Sequence, residues 1–324
     1  MTEMSCQSRY AFVTVFYEHE IELLYLQARS LWIYCDPTLI EKIIVIDNSE
    51  RPLPKNWQGK LLTEYGGLAS QVEIIKARDI ARLPWSSGWR TQQILKLMVA
   101  KIIPTERYVL LDAKNHLIFP LCRDDLEAPD GRPRTLLHSY LAHPLRSHLE
   151  RVLTYYGLEP AQHVAHFTAT ATPFVMYRDI VLNMIADLAN RENDRFENAF
   201  IRKRLTEFFA YICFILKNRG DLSSLYDFSQ QGGLCIWTET ADDPKVQEIV
   251  DRALADTQPF FSVHRLAIEK FDMRACRVVA KLWHDRKLFG TVEDATSFLL
   301  KLQAQYRRSH WTKPIWRAVK VVTG

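Results

Sequence analysis

At 324 residues, 48% hydrophobic and 25% charged, the chain has the make-up of a folded protein with one large α/β domain or two small ones, which excludes a disordered or fibrous class. A formal net charge of +4 without a basic stripe along the body excludes wholesale nucleic-acid binding. No stretch reaches the roughly 18–20 apolar residues that a bilayer span requires, and the polar segment Met1–Arg9 lacks the apolar core of a signal peptide.

The six cysteines are scattered, form no CxxC pair, and several sit in apolar runs such as Tyr211-Ile212-Cys213-Phe214. They read as buried small hydrophobes in a reducing compartment, so the expected location is cytoplasmic.

In chain order, Ala11–Phe16 predicts a strand, Glu20 to about Tyr34 a helix of 3.6 period, and Ile43–Ser49 an apolar strand ending in polar residues. The alternation continues with a strand at Val72–Ile75, a helix at about Thr91–Ile103 and a strand at Tyr108–Leu111. It predicts a mainly parallel sheet with helices on both faces and three strand ends on one rim. Beyond Pro120 the pattern loosens. A helix is expected over Leu145–Tyr156, a strand over Thr172–Tyr177, a helix from about Asp179 to Asn190, and one long amphipathic helix over Phe196–Leu216. Cys235–Trp237 and Pro259–Val263 are candidate strands, followed by helices over Met273–Leu288 and Val292–Tyr306. The expected division is a domain over residues 1–270 and a helical extension over 271–324.

That extension carries six Lys or Arg residues and no acid from Lys301 onward, interleaved with Tyr306, Trp311 and Trp316. Such a segment suits an anionic membrane surface, each charge contributing about 1 kcal/mol. It equally suits a helix whose aromatics pack inward while its cations stay solvated.

The strand Tyr108–Leu111 ends in Asp112-Ala113-Lys114-Asn115, and α/β sheets bind ligands outside the C-terminal ends of their strands. It follows a helix start, Gly88-Trp89-Arg90-Thr91-Gln92-Gln93-Ile94-Leu95-Lys96, dense in hydrogen-bonding side chains. Walker and GxGxxG motifs do not occur, and the histidines show no HExxH spacing, which removes the main support for kinase, dinucleotide and metallohydrolase readings.

These residues resemble the nucleotide-sugar-dependent glycosyltransferases of GT-A fold, over roughly residues 11–265. An early strand with its following loop (Val13–Tyr17, including Phe16 and Tyr17) and a second strand end (Asp47-Asn48-Ser49) match the nucleoside-holding parts. The Trp-x-x-Gln-Gln-x-x-Lys helix and the Asp112–Asn115 turn match the helix and the DxD-type motif. The resemblance implies an α/β, Rossmann-like sheet flanked by helices and a nucleotide-sugar donor with a glycan or glycolipid acceptor. Trp89, Gln92, Gln93, Lys96, Lys114 and Arg265 would contact the donor, and Asp112 and Glu207 would be catalytic. A divalent cation, Mg²⁺ or Mn²⁺, would be held by Asp112, Asn115 and His264. Lys114 stands where the second acidic ligand is expected, which puts metal dependence in question and leaves its ammonium to offset phosphate charge.

Each role has a plainer counterpart. Asp112 would cap the turn after its strand, His264 would pack at a strand end, and the Trp89–Lys96 helix would show a solvated face. Glu207, set in the apolar run Leu205–Tyr211, is expected as the acceptor base because burial raises a carboxyl's pKa; binding acceptor hydroxyls or pairing with Arg202 or Arg204 are its alternatives. For the whole chain, the alternatives to transfer are a degenerate nucleotide- or glycan-binding protein of the same fold and a nucleotidyltransferase. The basic tail would add peripheral attachment at the inner membrane face.

Overall fold

The computed structural model describes residues 9–84, 86, 88–229 and 233–311. Its strands, in chain order, are Tyr10–Phe16 (β1), Ile40–Asp47 (β2), Val72–Lys76 (β3), Arg107–Asp112 (β4), Asn115–Leu117 (β5), Leu137–His138 (β6), Phe167–Thr168 (β7), Phe174–Tyr177 (β8), Leu234–Ile236 (β9) and Phe260–Val263 (β10). The main sheet has the order β3-β2-β1-β4-β8. Its first four strands run parallel, and β8 lies antiparallel on β4. The fold is therefore mixed α/β with a mostly parallel sheet.

Strands covered on both faces read as continuous apolar runs, and alternate residues enter two separate cores. Phe12, Phe16, Ile43, Val45, Val109 and Leu111 face the helix Ile21–Tyr34 and the C-terminal helices Met273–Asp285 and Val292–Trp311. Val13, Val15, Ile44, Ile46 and Leu110 face the helices Gly88–Met98, Arg146–Tyr156, Arg178–Glu192 and Glu207–Arg219. Trp283 and Tyr306, both fully buried, place the C-terminal helices in the first of these cores. Tyr306 is thus a packing residue and not an interfacial aromatic. Residues 312–324, with Trp316 and most of the basic tail, lie outside the described residues, as does the side chain of Trp311.

The expected long helix over Phe196–Leu216 is two helices, Phe196–Arg202 and Glu207–Arg219. Arg204 adopts a left-handed conformation (φ 53°), and the Leu205 N–H bonds back to the Phe200 carbonyl at 3.1 Å, the pattern that closes a helix. The break moves Glu207 from a helix interior to a first turn. The helices Trp57–Tyr65 and Asp243–Ala255 and the strand β5 were not expected from the pattern.

A smaller sheet, β5-β10-β9, brings the segment after β4 against β10. Registers Phe16↔Asp47 and Val15↔Asp112 set the ends of β1, β2 and β4 on one rim. That rim floors a cavity.

Candidate active site

β4 leaves the sheet at Asp112, and the turn to Asn115 is fixed from beneath. The Gln27 amide, buried in the helix Ile21–Tyr34, donates to the carbonyls of Asp112 (2.7 Å) and Asn115 (3.1 Å) and accepts from Thr14 Oγ1 (2.8 Å). The Asp112 N–H donates to Asn115 Oδ1 at 2.6 Å, and Asn115 Nδ2 donates to Ser262 Oγ (2.7 Å) and the Thr172 carbonyl (3.2 Å). Asn115 is a brace with its amide fully engaged.

The cavity, of about 550 Å³, has the size of an ordinary small-molecule site. Spacing of three and four residues puts Trp89, Gln92, Gln93 and Lys96 on one helix face, and all four line it together with Tyr17, Glu20, Asp112, Lys114, Thr206, Glu207, Trp237, His264 and Arg265. Trp89 and Trp237 are 47% and 46% exposed, two partly exposed aromatic rings of the kind that pack on planar or sugar rings.

Charge dominates the floor. Lys96 Nζ donates to Asp112 Oδ1 at 2.7 Å and lies 3.6 Å from Glu207 Oε1. Lys114 Nζ takes the other Asp112 oxygen and sits over the Trp237 ring, 5.6 Å from its centroid. Burial works against the charge of Asp112, yet Lys114 and Lys96 outweigh it and hold the carboxyl well below the usual range. Burial likewise opposes the Lys96 ammonium, and Asp112 and Glu207 keep it charged. Glu207 is pushed up by its burial against the opposing pull of Lys96. Glu20, desolvated and facing Asp112, rises to about 7. Burial raises the pKa of both Glu20 and Glu207, which weakens the negative side of the set, while Lys96, Lys114 and Arg265 supply three cations that attract an anion.

Several buried polar atoms here have no partner among the described residues: Gln93 Oε1 and Nε2, Thr206 Oγ1, Thr172 Oγ1 and His264 Nδ1. An orphaned buried group costs about 1–3 kcal/mol. Water or a polar ligand in the cavity would pair with these atoms.

The expected cation set does not assemble. Both Asp112 oxygens meet ammonium groups, the Asn115 amide is spent on bracing, and His264, its pKa lowered to about 4 by burial, Lys114 and Arg265, is neutral but flanked by those two cations, which repel a metal ion. Among the described residues no group of three or more His, Cys, Asp or Glu side chains is placed to hold a metal. The donor set therefore does not fit a divalent cation.

Three further expected contacts lie outside the cavity lining. Phe16 is buried against Trp57, with ring centroids 5.4 Å apart. Asp47 is sealed, receiving Lys76 Nζ at 2.5 Å and the Ser49 N–H at 2.9 Å, because its pleat position aims at the neighbouring strand end. Asn48 donates to Thr91 Oγ1 at 3.0 Å. The anticipated pairing of Glu207 with Arg202 or Arg204 gives way to Lys96, since Arg202 bonds Glu192 and Asp194. Glu20 and Gln27 were missed. An uncompensated Gln inside an apolar helix was the available signal for Gln27; Glu20, in a short 3₁₀ turn Glu18–Glu20, offered none.

The chain belongs to the family of unknown function DUF6492, whose profile matches residues 12–247. No curated protein matches it. Among solved structures it is similar to the apo bifunctional glycosyltransferase WbbM (10% identity, TM-score 0.44, covering 79% of this chain and 46% of that one). It is also similar to GlyE, a glycosyltransferase of Streptococcus pneumoniae TIGR4 (11%, 0.43, 93% and 64%), and to the galactosyltransferase LgtC in complex with donor and acceptor sugar analogs (11%, 0.39, 61% and 71%). The chain spans less than half the length of WbbM.

Proposed function

We propose that this protein is a glycosyltransferase that moves a sugar from a nucleoside diphosphate donor to a hydroxyl of a glycan or glycolipid acceptor. One observation carries the reading: Lys96, Lys114 and Arg265 converge with Asp112, Glu20 and Glu207 in a single cavity at the C-terminal rim of a parallel sheet. A departing diphosphate gains negative charge as the glycosidic bond breaks, and fixed cations stabilise that charge. Lys96 and Lys114 would turn from Asp112 to the phosphates, with Arg265 beside them. In a single displacement the acceptor oxygen bonds the anomeric carbon, its proton passes to ionised Glu207, and the diphosphate leaves with the bonding pair. Glu20 and Gln92, joined at 3.4 Å, would hold donor hydroxyls, and Trp89 and Trp237 would stack on rings.

The two ammonium groups stand in for a divalent cation in this reading. No described helix is long and apolar enough to cross a membrane; a peripheral cytoplasmic position through the basic tail is part of the proposal. The test is a panel of sugar nucleotides with product analysis. Release of nucleoside diphosphate by wild type, lost in Asp112→Ala, supports transfer, whereas wild-type turnover in that variant refutes the assignment. The occupation of both Asp112 oxygens by lysines also favours a second reading, a binding protein without turnover. Thermal stabilisation by glycan alone would select it.

A further inference from the structure

On the Trp89 side of the cavity stand cations with no carboxylate partner among the described residues. Arg90 lies in the first turn of the helix Gly88–Met98, Arg151 on the helix Arg146–Tyr156, and Arg204 in the left-handed turn before Glu207. Among the described residues no carboxylate pairs with any of the three, in contrast to Arg29, Arg146, Arg191 and Arg202, each bridged to Glu or Asp. Arg90 Nη1 and His148 Nδ1 are buried with no hydrogen-bond partner among the described residues. The charges that act on Arg90, after its burial, are Arg151 and Arg204; those on His148, after its burial, are Arg151 and Arg90. Like charges and orphaned donors each raise the free energy of the empty site.

The cluster is joined to the cavity by Trp89. Its ring, which lines the cavity, packs edge-on against His148 with centroids 5.9 Å apart, and the Arg90 guanidinium lies 5.8 Å from the ring centroid. Leu145 and Thr206, lining the same wall, immediately precede the helices of Arg151 and Glu207.

We infer that Arg90 and Arg151 beside His148, with Arg204 next to Arg90, form an anion subsite that holds the phosphoryl group of a phosphorylated sugar acceptor, with the sugar ring against Trp89. Guanidinium groups match phosphate oxygens as paired donors, and the subsite lies on the Glu207 side, where the acceptor oxygen must lose its proton. The identity of the ligand as acceptor rests on the transfer reading; the anion subsite does not.

The experiment is calorimetric titration of the full chain with inorganic phosphate, glucose 6-phosphate and glucose, in the presence of UDP or GDP to fill the donor side. Wild type is expected to bind both phosphorylated probes and to bind glucose far more weakly, with Arg90→Gln/Arg151→Gln weakening the first two ~10-fold or more. Undiminished affinity in the double variant, or no phosphate binding by wild type, overturns the inference. UDP and GDP are titrated alone into wild type and Lys96→Met. Failure of both nucleotides to bind wild type counts against the transfer reading and leaves the phosphate result standing. Should the double variant not fold, phenylglyoxal labelling of wild type decides: phosphate slows modification of Arg90 and Arg151 if the subsite exists, and unchanged rates overturn it.

Discussion

The buried amine of Lys96 donates to Asp112 Oδ1 at 2.7 Å, tying the helix Gly88–Met98 to the end of β4. Lys96 is only 7% exposed at its side chain, whereas Asp112 keeps 30%, so the acid reaches the cavity while each of its oxygens is held by a lysine.

Asp112→Asn keeps the side chain's shape and removes its charge. Sugar-nucleotide turnover is expected to fall about 100-fold, in the range seen when one electrostatic partner of a transition state is deleted, with an unchanged far-UV circular dichroism spectrum. Unaltered kcat/KM would show that Asp112 only closes the turn.

Lys96→Met leaves Glu207 and one Asp112 oxygen without their shared ammonium. Loss of one partner from a buried ionic set costs about 3 kcal/mol, read as a lower urea midpoint at pH 7. The loss should shrink as pH falls and Glu207, its pKa raised by burial, takes up a proton.

Glu20 has a carboxyl pKa raised from 4.5 to about 7. Between those values the folded state binds more protons than the unfolded chain, so this group makes stability fall as pH rises through the window. Glu20→Gln should flatten that limb. Urea denaturation at pH 5 and pH 7.5 measures it, and equal pH slopes for the variant and wild type would contradict the burial assigned to Glu20.

If the lysines replace a metal, chelation with EDTA leaves nucleoside diphosphate affinity within about twofold, since no cation bridges the phosphates. A larger loss, restored by Mn²⁺, would place a metal beside Asp112 after all.

Gln27→Leu removes the amide under the Asp112–Asn115 turn and leaves the Thr14 hydroxyl and two carbonyls unpaired. A stability loss of about 2–3 kcal/mol is expected. Turnover should fall as well, because Asp112 loses its support.

The parallel sheet was legible because its strands are buried on both faces and spell unbroken apolar runs. The helix bearing Trp89, Gln92, Gln93 and Lys96 was legible because a single helical face repeats every three to four residues. The break at Arg204 was not, since a left-handed arginine carries no compositional mark and the flanking residues are apolar on both sides. Asp47 and Asn115 misled for a related reason: a polar residue at a strand end looks the same whether it opens to a cavity or braces a turn.

What the chain determined through its own pattern is local: apolar runs that must pair in a sheet, and an acid released at the end of one of them. What the tertiary structure decided is which charges meet that acid. Lys96 and Lys114 are near it in sequence, but Glu20, Glu207 and Arg265 come from segments as much as 245 residues apart. Their mutual distances set each group's ionisation, because Coulomb energy and desolvation depend on position in space and not on order along the chain.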